Sequence, residues 1–236
     1  MLREEFIKRS PIRILEKTIH GGLGKGNLGV FTARKGVGKT ACLVHMAIDR
    51  LLNHEKVLHV SFAEEPQHIK HWYKQVFNEV TQAYKLDNPL ENFEEMKNNR
   101  LILHFRAADI DLQQIRQTLN DFIKQTEFNP DLIIIDGFNF NEAQQEQINF
   151  FKEGAQMRDA EMWFSSTLHR EALELDEDGI PSPINQFKDD FEVIIMLDPK
   201  HEVIDLQLLK DHGSKDLTKL MLKLDPKTLL IANHRV

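Results

Sequence analysis

The sequence predicts an α/β domain built on a central, mostly parallel sheet flanked by helices, with antiparallel strands at its C-terminal end. Three observations carry this. Short β-branched apolar runs alternate with longer stretches whose apolar residues recur at helical spacing. A glycine-rich turn joins the first apolar run to the first amphipathic stretch. Beyond Arg170 long helical stretches cease, and several strand-like runs follow one another, as in a mixed sheet. With 236 residues, 41% apolar and 28% charged, the chain is long enough for one core and too apolar for wholesale disorder. The expected organisation is a single domain over 1–236, with an N-terminal extension at 1–20 and a core at 21–232.

The first run is Leu28–Thr32, followed after the turn by a helix from Lys39 to about Leu52. Leu43, Val44, Ala47, Ile48 and Leu51 form its apolar stripe. Val57–Phe62 reads as the next strand. Pro66 sits where a first helical turn accepts it and opens a long helix through Trp72, Val76, Val80 and Tyr84. Residues 85–99 are a polar connection with a short helix. A strand at Leu101–Phe105, a helix at about Asp111–Gln125 and the most apolar strand, Leu132–Ile135, come next. A polar helix around Glu142–Arg158 leads to a strand at Met162–Ser166. The closing runs, expected antiparallel, lie near Val193–Leu197, Val203–Lys210, Leu217–Leu224 and Thr228–Ile231.

The turn Ala33-Arg34-Lys35-Gly36-Val37-Gly38-Lys39-Thr40 fits the phosphate-binding pattern G-x-x-x-x-G-K-[ST] at every fixed position except the first. Backbone N–H groups must turn inward around a polyphosphate, so Gly36 and Gly38 stand where a Cβ would obstruct. Lys39 supplies a cation for the β- and γ-phosphates. Thr40 offers a hydroxyl to Mg²⁺, and the following helix directs its positive end at the anion. Residues Lys35, Gly36, Val37, Gly38, Lys39, Thr40 and Ala41 are thus the candidate nucleotide contacts. Ala33 in place of glycine is harmless if its φ is negative.

Hydrolysis also needs a metal partner and a group that orients water. Asp136, ending the most apolar strand, is the candidate carboxylate beside the metal. Glu64 and Glu65 close the strand after the loop's helix, and a right-handed crossover brings that strand end to the same sheet edge. One of them could align the attacking water or take its proton; the alternative is a pair of helix N-terminal acids beside Pro66. Glu64 is the favoured catalytic candidate, with Glu65 second.

With these elements in order the chain resembles the RecA-like ATPases, above all the KaiC-like branch and the related DnaB-type helicases, from about Gly21 to Ile231. Gly21–Leu28 looks like the glycine-rich entry to the first strand, and Val60–Pro66 like the catalytic-glutamate strand. Ser165–Arg170 falls at the DnaB-type sensor segment, with Thr167 at the sensor position. Leu208–Lys215 resembles the element that reaches a neighbouring subunit's γ-phosphate, which would make Lys210 and His212 trans-acting candidates. The resemblance implies ATP and Mg²⁺ as cofactors, hydrolysis, and a homo-oligomeric ring or filament. Histidine at position 212 where an arginine finger is expected implies slow hydrolysis, or use of Arg235 or another residue instead. A regulatory or assembly switch acting on a protein partner is the favoured use. A non-catalytic interaction module and a DNA helicase or recombinase paralogue are the rivals.

Acids number 37 against 30 Lys plus Arg, a net charge of −7. The stretch 170–192 holds Glu171, Glu174, Asp176, Glu177, Asp178, Asp189, Asp190 and Glu192 against Arg170 and Lys188, which would repel a phosphate backbone. Nucleic acid is therefore not expected as a partner. Phe138 and Phe140 are expected in the core or an interface. The single cysteine, Cys42, suits a reducing cytoplasm. No apolar run reaches the length of about 20 residues that spans a bilayer, and charges at Arg3, Glu4, Glu5, Lys8 and Arg9 exclude a signal peptide.

Overall fold

The computed structural model describes residues 2–106, 111–168, 174–214 and 217–233. Two helices come first, α1 (Arg3–Arg9) and α2 (Pro11–Thr18), then β1 (Leu28–Ala33), α3 (Lys39–Leu52), β2 (Val57–Ser61) and α4 (Pro66–Tyr84). They are followed by α5 (Pro89–Asn98), β3 (Arg100–His104), α6 (Leu112–Thr126), β4 (Leu132–Asp136), α7 (Gln145–Arg158) and β5 (Glu161–Thr167). A 3₁₀ segment at Ile184–Asp190 leads into β6 (Phe191–Pro199), β7 (Ile204–Asp211), β8 (Leu222–Leu224) and β9 (Ile231–Asn233).

The strands form one mixed sheet in the order β3-β2-β4-β5-β1-β6-β7-β8-β9. Strands β3 through β6 are parallel, and β7 to β9 continue antiparallel. This corrects one expectation: the strand near Val193–Leu197 is parallel to β1, which it flanks on the side opposite β5. The antiparallel part begins with the β6–β7 hairpin, closed by Lys200 N–H donating to Val203 O at 2.8 Å. The last two strands are shorter and later than their apolar runs suggest.

The sheet separates two apolar layers. One face packs against α3, α4 and α5, the other against α6, α7 and the 3₁₀ segment. The stretch 1–20, set apart in the sequence as an extension, joins the first layer through Phe6, Ile12, Leu15 and Ile19, each at most 1% exposed. Ser10 accepts from Ile12 N–H and Pro11 opens α2, so the helix start is locally encoded. Phe138 and Phe140 pack in an aromatic cluster with Phe151, Phe164, Phe187 and Phe191 on the second face. They are core residues.

The C-terminal strands are pinned to α3. Fully buried His45 accepts the Ile231 N–H at its Nδ1, 2.9 Å away, a bond that only the neutral ring can accept. Burial pushes the His45 pKa down to about 4. The unfolded chain binds this proton near pH 6.5 and the folded one only near pH 4, so stability present above pH 6.5 drains away between those values. The expected loss is about 3 kcal/mol. Urea melts at pH 7 and 4.5, compared with a His45→Gln variant, check it: the variant's curve should be flatter over that range.

Candidate functional site

The phosphate-type loop connects the C-terminal end of β1 to the N-terminus of α3. Ala33 is the last residue of β1 and stays out of the left-handed region, so alanine there carries no strain. Gly38 precedes the helix with φ +119°, a conformation that side chains resist. A Cβ on Gly38 would also stand 2.3 Å from Leu224 Cδ2. Lys39 is only 8% exposed. Its ammonium donates to Ala33 O at 3.0 Å and Arg34 O at 3.1 Å, back across the loop. Burial lowers its pKa to about 8, against the opposing pull of Asp136.

In the sheet order, β5 lies between β1 and β4, so a residue of β5 stands between the strand that leads into the loop and the strand that ends in Asp136. That residue is Ser165. Its hydroxyl donates to Asp136 Oδ1 at 2.5 Å and accepts the Gly137 N–H at 2.9 Å. Thr40 Oγ1 donates to Asp136 Oδ2 at 2.9 Å. A hydroxyl and a carboxylate that meet at the foot of an anion-binding loop are hard oxygen donors, which fits a small divalent cation. Ser165 was read from sequence only as part of a strand and sensor segment; its role in holding the carboxylate depends on strand order, which the motif does not display.

Glu64 is set by a tight turn at the end of β2. Ser61 Oγ accepts Glu64 N–H at 2.9 Å and donates to Glu64 O at 2.8 Å, while Phe62 N–H donates to Asp136 O at 2.8 Å. Glu64 lines the cleft, and its carboxylate lies 2.9 Å from His68 Nδ1. Glu65 points elsewhere, exposed and 3.7 Å from His104 Nε2, at the start of α4. Gly137 makes this approach feasible: at φ +78° its added Cβ would stand 2.5 Å from the Ala63 Cβ. Gly137→Ala is therefore expected to destabilise the fold by about 2–4 kcal/mol, combining left-handed strain and overpacking. A guanidinium melt checks it; a loss below 1 kcal/mol would mean that this contact yields freely.

Together these groups line a cleft of about 530 Å³. Lys35, Gly36, Val37, Gly38, Lys39 and Thr40 line it, as do Glu64, Asp136, Ser165 and Thr167. Apolar residues that sequence reasoning missed complete it: Trp72 from α4, and Ile204, Leu224, Pro226 and Leu229 from the C-terminal strands and turns. Leu229 holds a left-handed φ of 61°, an unusual conformation for leucine. Ala41 faces the core instead of the cleft, as does Cys42, whose thiol pKa burial pushes up.

Lys210 and His212 have partners within their own chain. Lys210 Nζ donates to Lys188 O at 2.7 Å. His212 Nδ1 lies 2.7 Å from Asp211 Oδ1, and Nε2 lies 3.0 Å from Leu23 O. Burial disfavours the charged ring, but these bonds and the nearby Asp211 and Glu192 charges outweigh it and raise the His212 pKa. A trans-acting role would require both side chains to leave these contacts. His169, Arg170, Lys215 and Arg235 lie outside the described residues.

Residues 2–149, more than half of the chain, match the family described as the AAA domain. The chain belongs to this family. The matched span of the AAA domain carries the phosphate loop, Glu64 and Asp136, and it takes in α1 and α2. The AAA domain here is a nucleotide-binding P-loop ATPase domain. Ser165, Thr167 and the apolar C-terminal wall of the cleft lie beyond the match. No curated protein matches the chain. Among the described residues, no helix of the AAA domain is long and apolar enough to cross a membrane.

Proposed function

We propose that the chain is a RecA-like ATPase of KaiC-like type that binds Mg-ATP, hydrolyses it slowly, and uses nucleotide state to switch an oligomer or a protein partner. One observation carries the reading: Thr40 Oγ1 and Asp136 Oδ2 meet at 2.9 Å in a cleft that also holds Lys39 and Glu64. The loop amides and Lys39 bind the phosphates, and Thr40 with Asp136 holds the cation. The cation, when bound, supplies charge neutralisation to the transferring phosphoryl group. Glu64 aligns water and accepts its proton, with Thr167 at the rim as sensor.

Slow turnover is supported by the in-chain contacts of His212 and Lys210, since transfer without a trans-acting arginine forgoes several orders of magnitude in rate. A role without nucleic acid is supported by Lys188. Its ammonium is clasped by Asp176 and Asp178, leaving it poorly placed to replace counterions on a phosphate backbone. The second reading is a non-catalytic nucleotide-binding module, favoured by the Glu64–His68 contact that occupies the proposed base.

Light scattering with and without ATP and Mg²⁺, with phosphate release across protein concentrations, separates them. The expected result is a nucleotide-dependent rise in mass together with turnover that increases per subunit on assembly. Binding without turnover at every concentration would select the second reading. Stimulation by single-stranded DNA would restore the helicase class.

A further inference from the structure

Behind Asp136 lies a buried chain of polar groups that the reading above does not use. Val57, His59 and Ser61 alternate onto the sheet face covered by α3 and α4, as do Leu132, Ile134 and Asp136. Ser61 pairs in register with Asp136 and His59 with Ile134, so the His59 ring stands one step back from the carboxylate. Its Nε2 is 4.0 Å from Asp136 Oδ2. His59 is fully buried, and Nε2 has no hydrogen-bond partner among the described residues. On the other side of the ring, Nδ1 is 3.2 Å from the Tyr73 hydroxyl. The Arg100 guanidinium stacks over the Tyr73 ring at 4.1 Å.

A neutral imidazole carries one ring proton. With a phenol at Nδ1 and a carboxylate beyond Nε2, the favourable arrangement has Tyr73 donating to Nδ1 and the ring proton on Nε2, facing the anion. Asp136 Oδ1 is held by Ser165, while Oδ2 relies on Thr40, whose hydroxyl must also serve the cation. The His59 N–H is a neighbouring donor with no competing duty.

We propose that His59, held in its Nε2–H tautomer by Tyr73, is a positioning residue that steadies Asp136 for the divalent cation. This rests on the reading that Thr40 and Asp136 hold that cation. Outer partners of metal ligands typically carry about 10–100-fold in metal affinity. In contrast to a residue that only fills space, His59 should be replaceable by a donor and not by an apolar group of similar bulk.

The test titrates Mg²⁺ into protein with ADP bearing a fluorescent ribose label, reading binding and not turnover. His59→Leu should raise the Mg²⁺ midpoint about 10–100-fold, and His59→Gln should stay within a few-fold of wild type. In ¹⁵N-resolved spectra of the wild type the proton should sit on Nε2, and Tyr73→Phe should mix the tautomers. A folded His59→Leu protein with an unchanged midpoint, or a wild-type ring protonated at Nδ1, overturns the proposal. Should His59→Leu fail to fold, the wild-type spectrum and the Tyr73→Phe midpoint decide: a raised midpoint supports the proposal and an unmoved one overturns it. Asp136→Asn is the control: if it too leaves the Mg²⁺ midpoint unmoved, the cation reading itself falls.

Discussion

Glu64→Gln should lower Mg-ATP turnover by about 10²–10⁴-fold while leaving nucleotide affinity within a few-fold. The substitution keeps size and hydrogen-bonding reach and removes the basic carboxylate. Glu64 lies at the cleft on a turn fixed by Ser61, and its carboxylate is proposed to meet water and not phosphate, so ground-state binding has no reason to change. Glu65→Gln is the internal comparison, since that side chain points towards His104, away from the cleft, and its loss should leave turnover nearly intact. Single-turnover phosphate release measured beside equilibrium nucleotide binding gives both numbers. Turnover that survives Glu64→Gln would remove Glu64 from the chemistry.

Lys39→Ala should weaken nucleotide binding about 100-fold, because hydrogen bonds to charged groups are worth about 1.5–3 kcal/mol each and this ammonium can reach more than one phosphate oxygen. Its present partners are two loop carbonyls, Ala33 O and Arg34 O, so the cation is already held inside the loop at the mouth of α3. The free protein should not suffer: removing a largely buried ammonium relieves desolvation, and the melting temperature should hold or rise. Calorimetric titration with Mg-ADP, paired with a thermal melt, distinguishes loss of a ligand contact from loss of fold. Unchanged affinity in a folded variant would mean that the loop amides alone hold the phosphates.

Much of this was legible because local chemistry announces it. The loop from Ala33 to Thr40 needs glycines and a lysine at fixed spacing, and a strand of four β-formers ending in Asp136 declares both its burial and its exit. Glu64 was favoured over Glu65 from sequence, and the structure separates them by position: Glu64, on the Ser61 turn, lines the cleft, while the Glu65 carboxylate lies beside His104. Ser165 was hidden because its importance comes from β5 lying between β1 and β4, a matter of strand order. The apolar wall of Ile204, Leu224, Pro226 and Leu229 carries no motif at all, since any similar set of side chains would serve. Helices α1 and α2 were undervalued because their charged residues mask a small buried set, Phe6, Ile12, Leu15 and Ile19.

Leu224 rests over Gly38, and further along the same helix His45 grips the backbone of Ile231. The late hairpin and the early loop therefore behave as one clasp. A fusion, cut or binding event that unseats the hairpin should be felt where the polyphosphate docks, and a ligand that fills the docking place should shield the hairpin from proteases. Such a clasp would give the molecule a handle, remote in sequence, by which occupancy could be read from outside.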